Sequence, residues 1–175
     1  FSNESWTHTS RVTCGYSQVI GYSVRGRPIT AHYFGSGDTT ILFTGGIHGS
    51  EPSSTTTMEA WAEYLYGAAY ELPAHTRVVV VPAVNPDGIA AGTRNNAHNV
   101  NLARNFPSAN WKADTEIASG VLPGGGGVSP GSEPEAAALI TLTRTLRPRL
   151  EVSFHAQGSL VGANKYADSV RIGEG

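Results

Sequence analysis

The side chains in this sequence that could do metal chemistry are two histidines and a glutamate. His48 and Glu51 follow an apolar, β-type run at 39–44, and His155 ends a second apolar run much later in the chain. Two imidazoles and one carboxylate are a ligand set of open catalytic zinc sites, where a fourth position is left for water. The pattern therefore predicts one Zn²⁺ ion, held by these three side chains at the ends of strands.

The sequence around His48 suits a tight turn beside a metal. Gly45, Gly46 and Gly49 permit left-handed or cramped backbone conformations, and Pro52 suits the first turn of a helix. A His-x-x-Glu pair alone also fits an ordinary loop histidine beside a glutamate that caps a helix, because short motifs often match by chance. The rest of the chain has to decide between these two interpretations.

Further motifs follow one another in a distinctive order. They are 21–29 (GYSVRGRPI), the His-x-x-Glu pair, 85–88 (NPDG), Arg94, 101–107 (NLARNFP), 132–135 (SEPE) and His155. In this order they resemble the zinc carboxypeptidase family, and the resemblance runs from about residue 20 to His155. The compact stretch between Asp87 and Arg104 is most similar to the short branch of that family, which trims bacterial cell-wall peptides.

The resemblance implies roles for three polar residues. Arg104 matches the residue that binds the free carboxylate of the substrate, and Asn105 follows it in the same substrate-binding motif. Arg94 matches the catalytic residue that polarises the scissile carbonyl beside the zinc ion. A guanidinium suits both tasks because it is planar, permanently charged and rich in donors. Outside this motif, ordinary surface ion pairs would be the simpler interpretation of the two arginines.

Two residues depart from the pattern of the family. Asn101 stands where an Asp usually supports a zinc-binding histidine, and Ala103 replaces an Asn that shares carboxylate binding. The amide oxygen of Asn101 can still accept a histidine N–H, but we expect it to support the metal less, by about 10-fold or more in affinity. Ala103 predicts an altered substrate choice.

The resemblance also implies a general-base glutamate on a strand beyond the third zinc ligand. The two acids after His155 do not fit, because Asp168 comes too early and Glu174 lies in a glycine-flanked tail. We therefore expect residues 1–175 to form a single, incomplete zinc carboxypeptidase domain. The general base would then lie on a C-terminal complementing chain or segment.

Alternating β-type and helical patterns predict an α/β fold. The expected arrangement is three layers, α/β/α, around a central mixed, largely parallel sheet of the zinc carboxypeptidase type that lacks its C-terminal part. The predicted strands cover 29–34, 39–45, 77–84 and 150–154, and the predicted helices cover 53–70 and 132–146. A hairpin-like turn is expected between the first two strands, and the four glycines at 124–127 are interpreted as a flexible loop.

Composition excludes several classes of partner. The net charge is −2 and 15% of residues are charged, so neither a nucleic acid nor an anionic membrane is expected to bind. No apolar run is long enough to cross a bilayer. The single cysteine, Cys14, cannot form an internal disulfide. The bacterial cell-wall branch of the family implies a secreted or periplasmic protein of the cell envelope.

Three functions are compatible with these motifs. The first is a zinc metallocarboxypeptidase that hydrolyses C-terminal bonds of peptides with a free carboxylate, such as murein peptides. The second is an amide hydrolase of the aspartoacylase or desuccinylase type, which shares His-x-x-Glu and a related arginine motif. The third is a non-catalytic zinc-dependent peptide-binding module, which the missing glutamate favours. The motifs at 132–135 and 21–29 favour the peptidase.

Overall fold

The computed structural model describes residues 15–156, and the account below concerns that part of the chain. Cys14, Asp168 and Glu174 lie outside the described residues. The elements in chain order are β1 (Tyr16–Tyr22), β2 (Pro28–Phe34), β3 (Thr39–Thr44), α1 (Pro52–Ala68), β4 (Thr76–Val81), α2 (Pro86–Ala91), β5 (Thr115–Ile117), β6 (Gly120–Leu122), α3 (Pro134–Leu146) and β7 (Leu150–Ser153). Short 3₁₀ turns occupy Ala69–Glu71 and Leu102–Arg104.

A mixed five-stranded sheet forms the centre of the described region, in the order β1-β2-β4-β3-β7. Strand β3 pairs in parallel with β4 and with β7, whereas β1 with β2 and β2 with β4 pair antiparallel. The predicted mixed sheet is confirmed, and its parallel part is the half that carries the metal-binding side chains. Strands β5 and β6 form a separate small ribbon.

The two helices that were expected to flank the sheet lie on its opposite faces. Within β4, Val79 and Val81 pack in one core cluster with residues of α3, while Val78 and Val80 pack in a second cluster with residues of α1. All four valines are at most 3% exposed. Successive side chains of a strand point to opposite faces of the sheet, and here both faces are buried. This confirms the three-layer α/β/α arrangement.

The predicted hairpin between β2 and β3 is wrong, because β4 lies between these two strands. Their connecting loop crosses the beginning of β4 so closely that a Cβ atom on Gly37 would lie 1.8 Å from the carbonyl carbon of His75. Thr39 N–H also donates to the His75 carbonyl at 3.0 Å. A short loop therefore joins β2 and β3, but each of these strands pairs with β4 and not with the other.

The four glycines at 124–127 are an ordered part of the fold, which corrects their interpretation as a flexible loop. Gly125, Gly126 and Gly127 are buried. Gly126 N–H donates to the Ala113 carbonyl at 2.7 Å, and the Gly125 carbonyl accepts the N–H of Asn101 at 2.8 Å. Gly126 has no room for a side chain, because a Cβ atom there would lie 2.0 Å from the Lys112 carbonyl oxygen, while Cβ atoms on Gly125 and Gly127 would meet neighbouring side chains. None of the helices that the structure describes is both long and apolar enough to cross a membrane.

Candidate metal centre

The paired ends of β3 and β7 bring the two predicted histidine ligands together. The last residue of β3, Thr44, lies opposite the last residue of β7, Ser153, in a parallel pairing. His48 follows β3 after a turn, and His155 follows β7 by two residues. The carboxyl ends of parallel strands meet at one edge of a sheet. The imidazole rings of the two histidines therefore lie with their centroids 5.0 Å apart.

Glu51 lies between the two histidines and faces both. It occupies the N-cap position of α1, and its Oε1 is 2.9 Å from Nδ1 of His48 while its Oε2 is 3.0 Å from Nδ1 of His155. Within residues 15–156 these three side chains are the one group of three or more potential metal ligands whose donor atoms all lie within 4.8 Å of one another. His48 and Glu51 are buried, and the side chain of His155 is 40% exposed. The group therefore opens to solvent on the His155 side.

Asn101 fixes which ring nitrogen of His48 carries the proton. Its Oδ1 lies 3.1 Å from His48 Nε2 and also accepts the backbone N–H of Ala103 at 3.2 Å. Because a backbone N–H can only donate, the Asn101 atom that faces it is the amide oxygen, and His48 Nε2 must be the donor in the other contact. The neutral His48 ring then has its lone pair on Nδ1, the atom directed at Glu51.

The surroundings favour the protonation states that a metal ligand needs. Burial, and then the nearby Arg94 guanidinium, lower the pKa of His48 below its usual value, although Glu51 acts in the opposite direction. Burial alone would raise the pKa of Glu51, but the N–H of Ala156 and the charges of the adjacent histidines lower it below its usual range. At neutral pH His48 is therefore neutral and Glu51 is ionised.

This donor set fits a bound zinc ion. The lone pair of His48 Nδ1 and the carboxylate oxygen Glu51 Oε1 are both acceptors, and at 2.9 Å they repel each other unless a cation is shared between them. Two imidazole nitrogens and a carboxylate oxygen are ligands that zinc prefers. Asn101 supports one of the histidines through its second nitrogen, as is usual for metal-binding histidines. The structure thus brings together the three residues that the sequence predicted as ligands.

Arg94 lies at the rim of the metal centre, as expected for the residue predicted to polarise a carbonyl. Its NH1 donates to Glu51 Oε1 at 2.9 Å, while 52% of its side chain remains exposed. The short helix α2 precedes Arg94 in the chain. Asn85 is the N-cap of this helix, and its side chain accepts the N–H of Gly88 at 2.9 Å. Helix α2 ends at the left-handed Gly92, where the chain turns back toward the ligands.

Arg104 is exposed and lines a cavity of about 650 Å³ beside the metal centre. Ala103 and Phe106 line this cavity and also a second one of about 470 Å³, which extends to His155. The two cavities are therefore neighbours that share a wall. Within the described residues no carboxylate oxygen lies within 4 Å of the Arg104 guanidinium. Arg104 is thus placed where a ligand can reach it.

Asn105, which was predicted to bind substrate, is fully buried, so its amide cannot contact a substrate in this arrangement. Its Nδ2 donates to the carbonyls of Gly126 and Ser129 at 2.8 and 3.1 Å, and its Oδ1 accepts the N–H of Glu133 at 3.0 Å. Asn105 instead ties the 101–107 motif to the ordered glycines and to the beginning of α3. It positions its neighbour Arg104 from inside the protein.

A buried aspartate explains why the motifs at 21–29 and 85–88 occur together. Asp87 is 2% exposed and accepts the backbone N–H of Arg25 at 2.9 Å and the guanidinium of Arg27 at 2.6 Å. The first motif therefore holds the second in place, and the second carries α2 toward Arg94. No sequence pattern indicates this contact, and none indicates that the Ala156 N–H donates to Glu51 Oε2 at 3.2 Å.

Among the described acids, Glu151 is the one closest to His155 in the sequence, and it does not fit the general base that the resemblance implies. Glu151 lies on β7, four residues before His155. At a rise of about 3.3 Å per residue, its Cα is roughly 13 Å from that of His155. This distance is too long for a carboxylate that must touch a water molecule beside the metal ligands.

Comparisons with known proteins show the family to which this chain belongs. The sequence profile of the family described as Zinc carboxypeptidase matches residues 8–170. Murein peptide amidase A of Escherichia coli (strain K12) is 41% identical over 123 residues, which cover 65% of this chain and 48% of that protein. The Vibrio campbellii protein of the same name is 32% identical over 159 residues, which cover 85% of this chain and 60% of that protein.

A solved structure shows the same similarity. The crystal structure of murein-tripeptide amidase from Escherichia coli O157 is 33% identical and has a TM-score of 0.59. The match covers 82% of this chain and 61% of that one. The chain thus spans about half to three fifths of the length of the amidases that it matches.

Proposed function

Because this chain belongs to the zinc carboxypeptidase family, we propose that it acts as a zinc-dependent hydrolase on the C-terminal amide bond of cell-wall (murein) peptides. The observation that carries the proposal is the group of His48, Glu51 and His155 with an exposed arginine on its rim. Two curated relatives at 41% and 32% identity are named murein peptide amidases. The family match favours the peptidase prediction over the aspartoacylase type.

The metal ligands would hold the ion in a centre that is closed on one side and open on the other. A bound zinc ion supplies a Lewis acid and lowers the pKa of a water molecule. His48 is fixed by Asn101 and Glu51 by the Ala156 N–H, so both present their lone pairs without rearrangement. His155, with 40% of its side chain exposed, borders the open side. A substrate amide would approach from there.

Arg94 can stabilise the negative charge that develops on the oxygen of the scissile carbonyl. A guanidinium has five N–H donors, and within the described residues the Arg94 side chain makes one hydrogen bond, from NH1 to Glu51 Oε1. The remaining donors lie on a side chain that is 52% exposed, at the rim of the metal centre. Donors placed before the reaction begins are an effective way to stabilise such a charge.

Arg104 can bind the free carboxylate at the end of the peptide. It lines the cavity adjacent to the metal centre and has no carboxylate partner among residues 15–156. A bidentate pair with a carboxylate would fix the last residue of the peptide, with the bond before it directed toward the metal ligands. Ala103 contributes no amide to this contact, so Arg104 carries it with less help than in typical members of the family.

The test compares a murein peptide that has a free C-terminus with the same peptide as its C-terminal amide. The zinc-loaded full-length protein should hydrolyse the free form, and Arg104→Ala should raise its KM about 10- to 150-fold while leaving the amidated form nearly unchanged. Arg149→Ala is the control, because Arg149 is an exposed arginine that does not line the cavity. Zinc-dependent binding without hydrolysis of either peptide would favour a non-catalytic module instead.

A further inference from the structure

Glu135 is a fully buried carboxylate in the first turn of α3. Among residues 15–156, no Lys, Arg or His nitrogen lies within 4 Å of its oxygens. A buried charge without such a partner has to be compensated by hydrogen bonds. Oε1 of Glu135 accepts the N–H of Val24 at 3.1 Å, and Oε2 accepts Nδ2 of Asn96 at 3.1 Å. The second contact leads toward the metal centre, because Asn96 lies two residues after Arg94 in the chain.

Asn96 is buried and uses both ends of its amide. Its Nδ2 also donates to Glu133 Oε2 at 2.8 Å, an atom that lies 2.7 Å from Nδ1 of His98. Its Oδ1 accepts the backbone N–H groups of His98 and Val100 at 3.1 and 3.0 Å, and its own N–H donates to the Val100 carbonyl at 2.9 Å. Because a backbone N–H can only donate, the amide oxygen faces the backbone and the NH₂ group faces the two carboxylates. The amide cannot turn over without losing all of these contacts.

The segment 94–101 carries one group of the metal centre at each end. At its start, Arg94 NH1 donates to Glu51 Oε1 at 2.9 Å. At its end, Asn101 Oδ1 lies 3.1 Å from His48 Nε2. Asn96 lies between these ends and fastens the segment to the beginning of α3. Because only a few residues separate Asn96 from either end, a displacement of its side chain is passed on to both.

The contact between Glu135 and Asn96 requires a carboxylate. Each oxygen of Glu135 faces a donor, the N–H of Val24 on one side and the NH₂ group of Asn96 on the other. A glutamine at this position has one oxygen and one NH₂ group, so one of the two donors would face another donor. The shape would be preserved, but one hydrogen bond of the buried network would be replaced by repulsion.

We propose that Glu135 is a positioning residue of the metal centre. Acting through Asn96, it holds Asn101 and Arg94 in place beside the metal ligands. Its own hydrogen bonds reach neither a metal ligand nor the rim, so its effect on both is indirect. The inference rests on the proposed function, because it concerns the zinc ligands and the arginine beside them. It also gives the motif at 132–135 a role that the metal ligands alone leave unexplained.

The first measurement is the zinc affinity of the full-length protein, by competition with a chromogenic chelator. Glu135→Gln should lower this affinity about 3- to 10-fold, because Asn101 no longer holds the His48 ring as firmly. Glu63→Gln makes the same substitution at an exposed position of α1 and should leave the affinity unchanged. Leu65→Ala creates a cavity in the core beside α1 and controls for lost stability. It should also leave the zinc affinity unchanged.

A double-mutant cycle separates positioning from a general loss of stability. In the Asn101→Ala background, Glu135→Gln should lower the zinc affinity no further, because the side chain through which it acts is already gone. Asn96→Ala removes the donors on the other side of the contact. It should show the same loss and the same dependence on Asn101, and it replaces Glu135→Gln if that variant does not fold.

The Arg94 end of the segment is measured with the murein peptide that has a free C-terminus. Glu135→Gln should lower kcat about 3- to 30-fold with KM nearly unchanged, because Arg94 acts on charge that develops in the transition state. In the Arg94→Ala background the same substitution should have no further effect on kcat. A loss that persists in that background would overturn the part of the inference that concerns Arg94.

The outcomes separate this inference from the proposed function. If the unsubstituted protein binds zinc but hydrolyses no peptide, the proposed function is overturned, and the zinc cycle still decides the role of Glu135. If the zinc affinity is unchanged in both Glu135→Gln and Asn96→Ala, the inference is overturned and the proposed function stands. The same holds if the loss is equal with and without the Asn101 amide. A protein that binds no zinc would overturn both.

Discussion

The Nε2 atom of His48 lies 3.1 Å from the Oδ1 atom of Asn101, although 53 residues separate them in the chain. The same oxygen accepts the N–H of Ala103 at 3.2 Å. One side chain therefore sets the tautomer of a metal ligand and shapes the turn that leads to Arg104. The metal centre and the turn beside the cavity that Arg104 lines share this amide as a common support.

Removing the Asn101 amide should weaken zinc binding without removing a ligand. Asn101→Ala should lower the zinc affinity about 10- to 100-fold, because His48 loses the acceptor that orients its ring. Asn101→Asp should bind zinc at least as tightly as the unsubstituted protein, because a carboxylate accepts the same N–H more strongly. Competition with a chromogenic chelator measures these affinities. Asn110→Ala is the control, and equal affinity for Asn101→Ala and this control would contradict the prediction.

Loss of one histidine ligand should abolish stoichiometric zinc binding. His155→Ala leaves an imidazole and a carboxylate, which together do not provide the three protein ligands of an open zinc site. Metal analysis of protein purified without chelator should give about one zinc per chain before the substitution and close to none after it. His98→Ala serves as the control, because His98 is 57% exposed and pairs with Glu133 away from this group. Full zinc occupancy in His155→Ala would show that the ligand assignment is wrong.

The sequence contained most of the information needed to place the metal ligands. His48, Glu51 and His155 stand at the ends of strands, and a parallel pairing of β3 with β7 brings such ends together. Strand patterns also predicted the two buried faces of β4, because consecutive valines can only be buried on both sides of a sheet. These features depend on residues close to one another in sequence or on general rules of sheet topology.

The remaining features depend on contacts that no local pattern contains. Strand β4 separates β2 from β3, although the short loop between them is typical of a hairpin. A run of four glycines predicts flexibility, yet here Gly126 is glycine because the Lys112 carbonyl occupies the space of a side chain. Asn105 lies in a binding motif but is buried by hydrogen bonds to backbone groups far along the chain. Backbone donors and acceptors are the same in every sequence, so such contacts leave no trace in residue types.

Neutralising Asp87 should destabilise the protein at neutral pH, and the loss of stability should be smaller at acidic pH. Burial alone would raise the pKa of Asp87, but hydrogen bonds from Arg25 and Arg27 lower it below its usual range. Asp87→Asn should reduce the free energy of unfolding by about 1–2 kcal/mol at pH 7, because a charge-assisted hydrogen bond is lost. The loss is not larger because solvent partly screens the charge of Arg27. Urea denaturation at fixed zinc content measures this difference.

The pH dependence of this difference follows from the direction of the shift. A carboxylate whose pKa is lower in the folded state stabilises the protein above its unfolded pKa of about 3.9, and this stability is lost as the pH falls through the folded value. The difference in the free energy of unfolding between the unsubstituted protein and Asp87→Asn should be constant from about pH 7 to 5 and should shrink below about pH 4. Asp38→Asn, at an exposed loop position, should change stability by less than about 0.5 kcal/mol throughout. A gap that widens in acid would contradict the assignment.

A methyl group on Gly49 should damage the metal centre, whereas one on Gly67 should stabilise the protein. A Cβ atom on Gly49 would lie 1.9 Å from the carbonyl carbon of Gly88 in α2, and neither backbone can withdraw without moving the adjacent His48. Gly49→Ala should therefore cost about 1–3 kcal/mol and lower zinc affinity. Gly67 lies exposed in α1 with nothing within 4 Å of its position for a Cβ, so Gly67→Ala should gain about 0.5–1 kcal/mol. Thermal unfolding with and without zinc compares the two, and unchanged zinc affinity in Gly49→Ala would show that α2 does not hold the ligand turn in place.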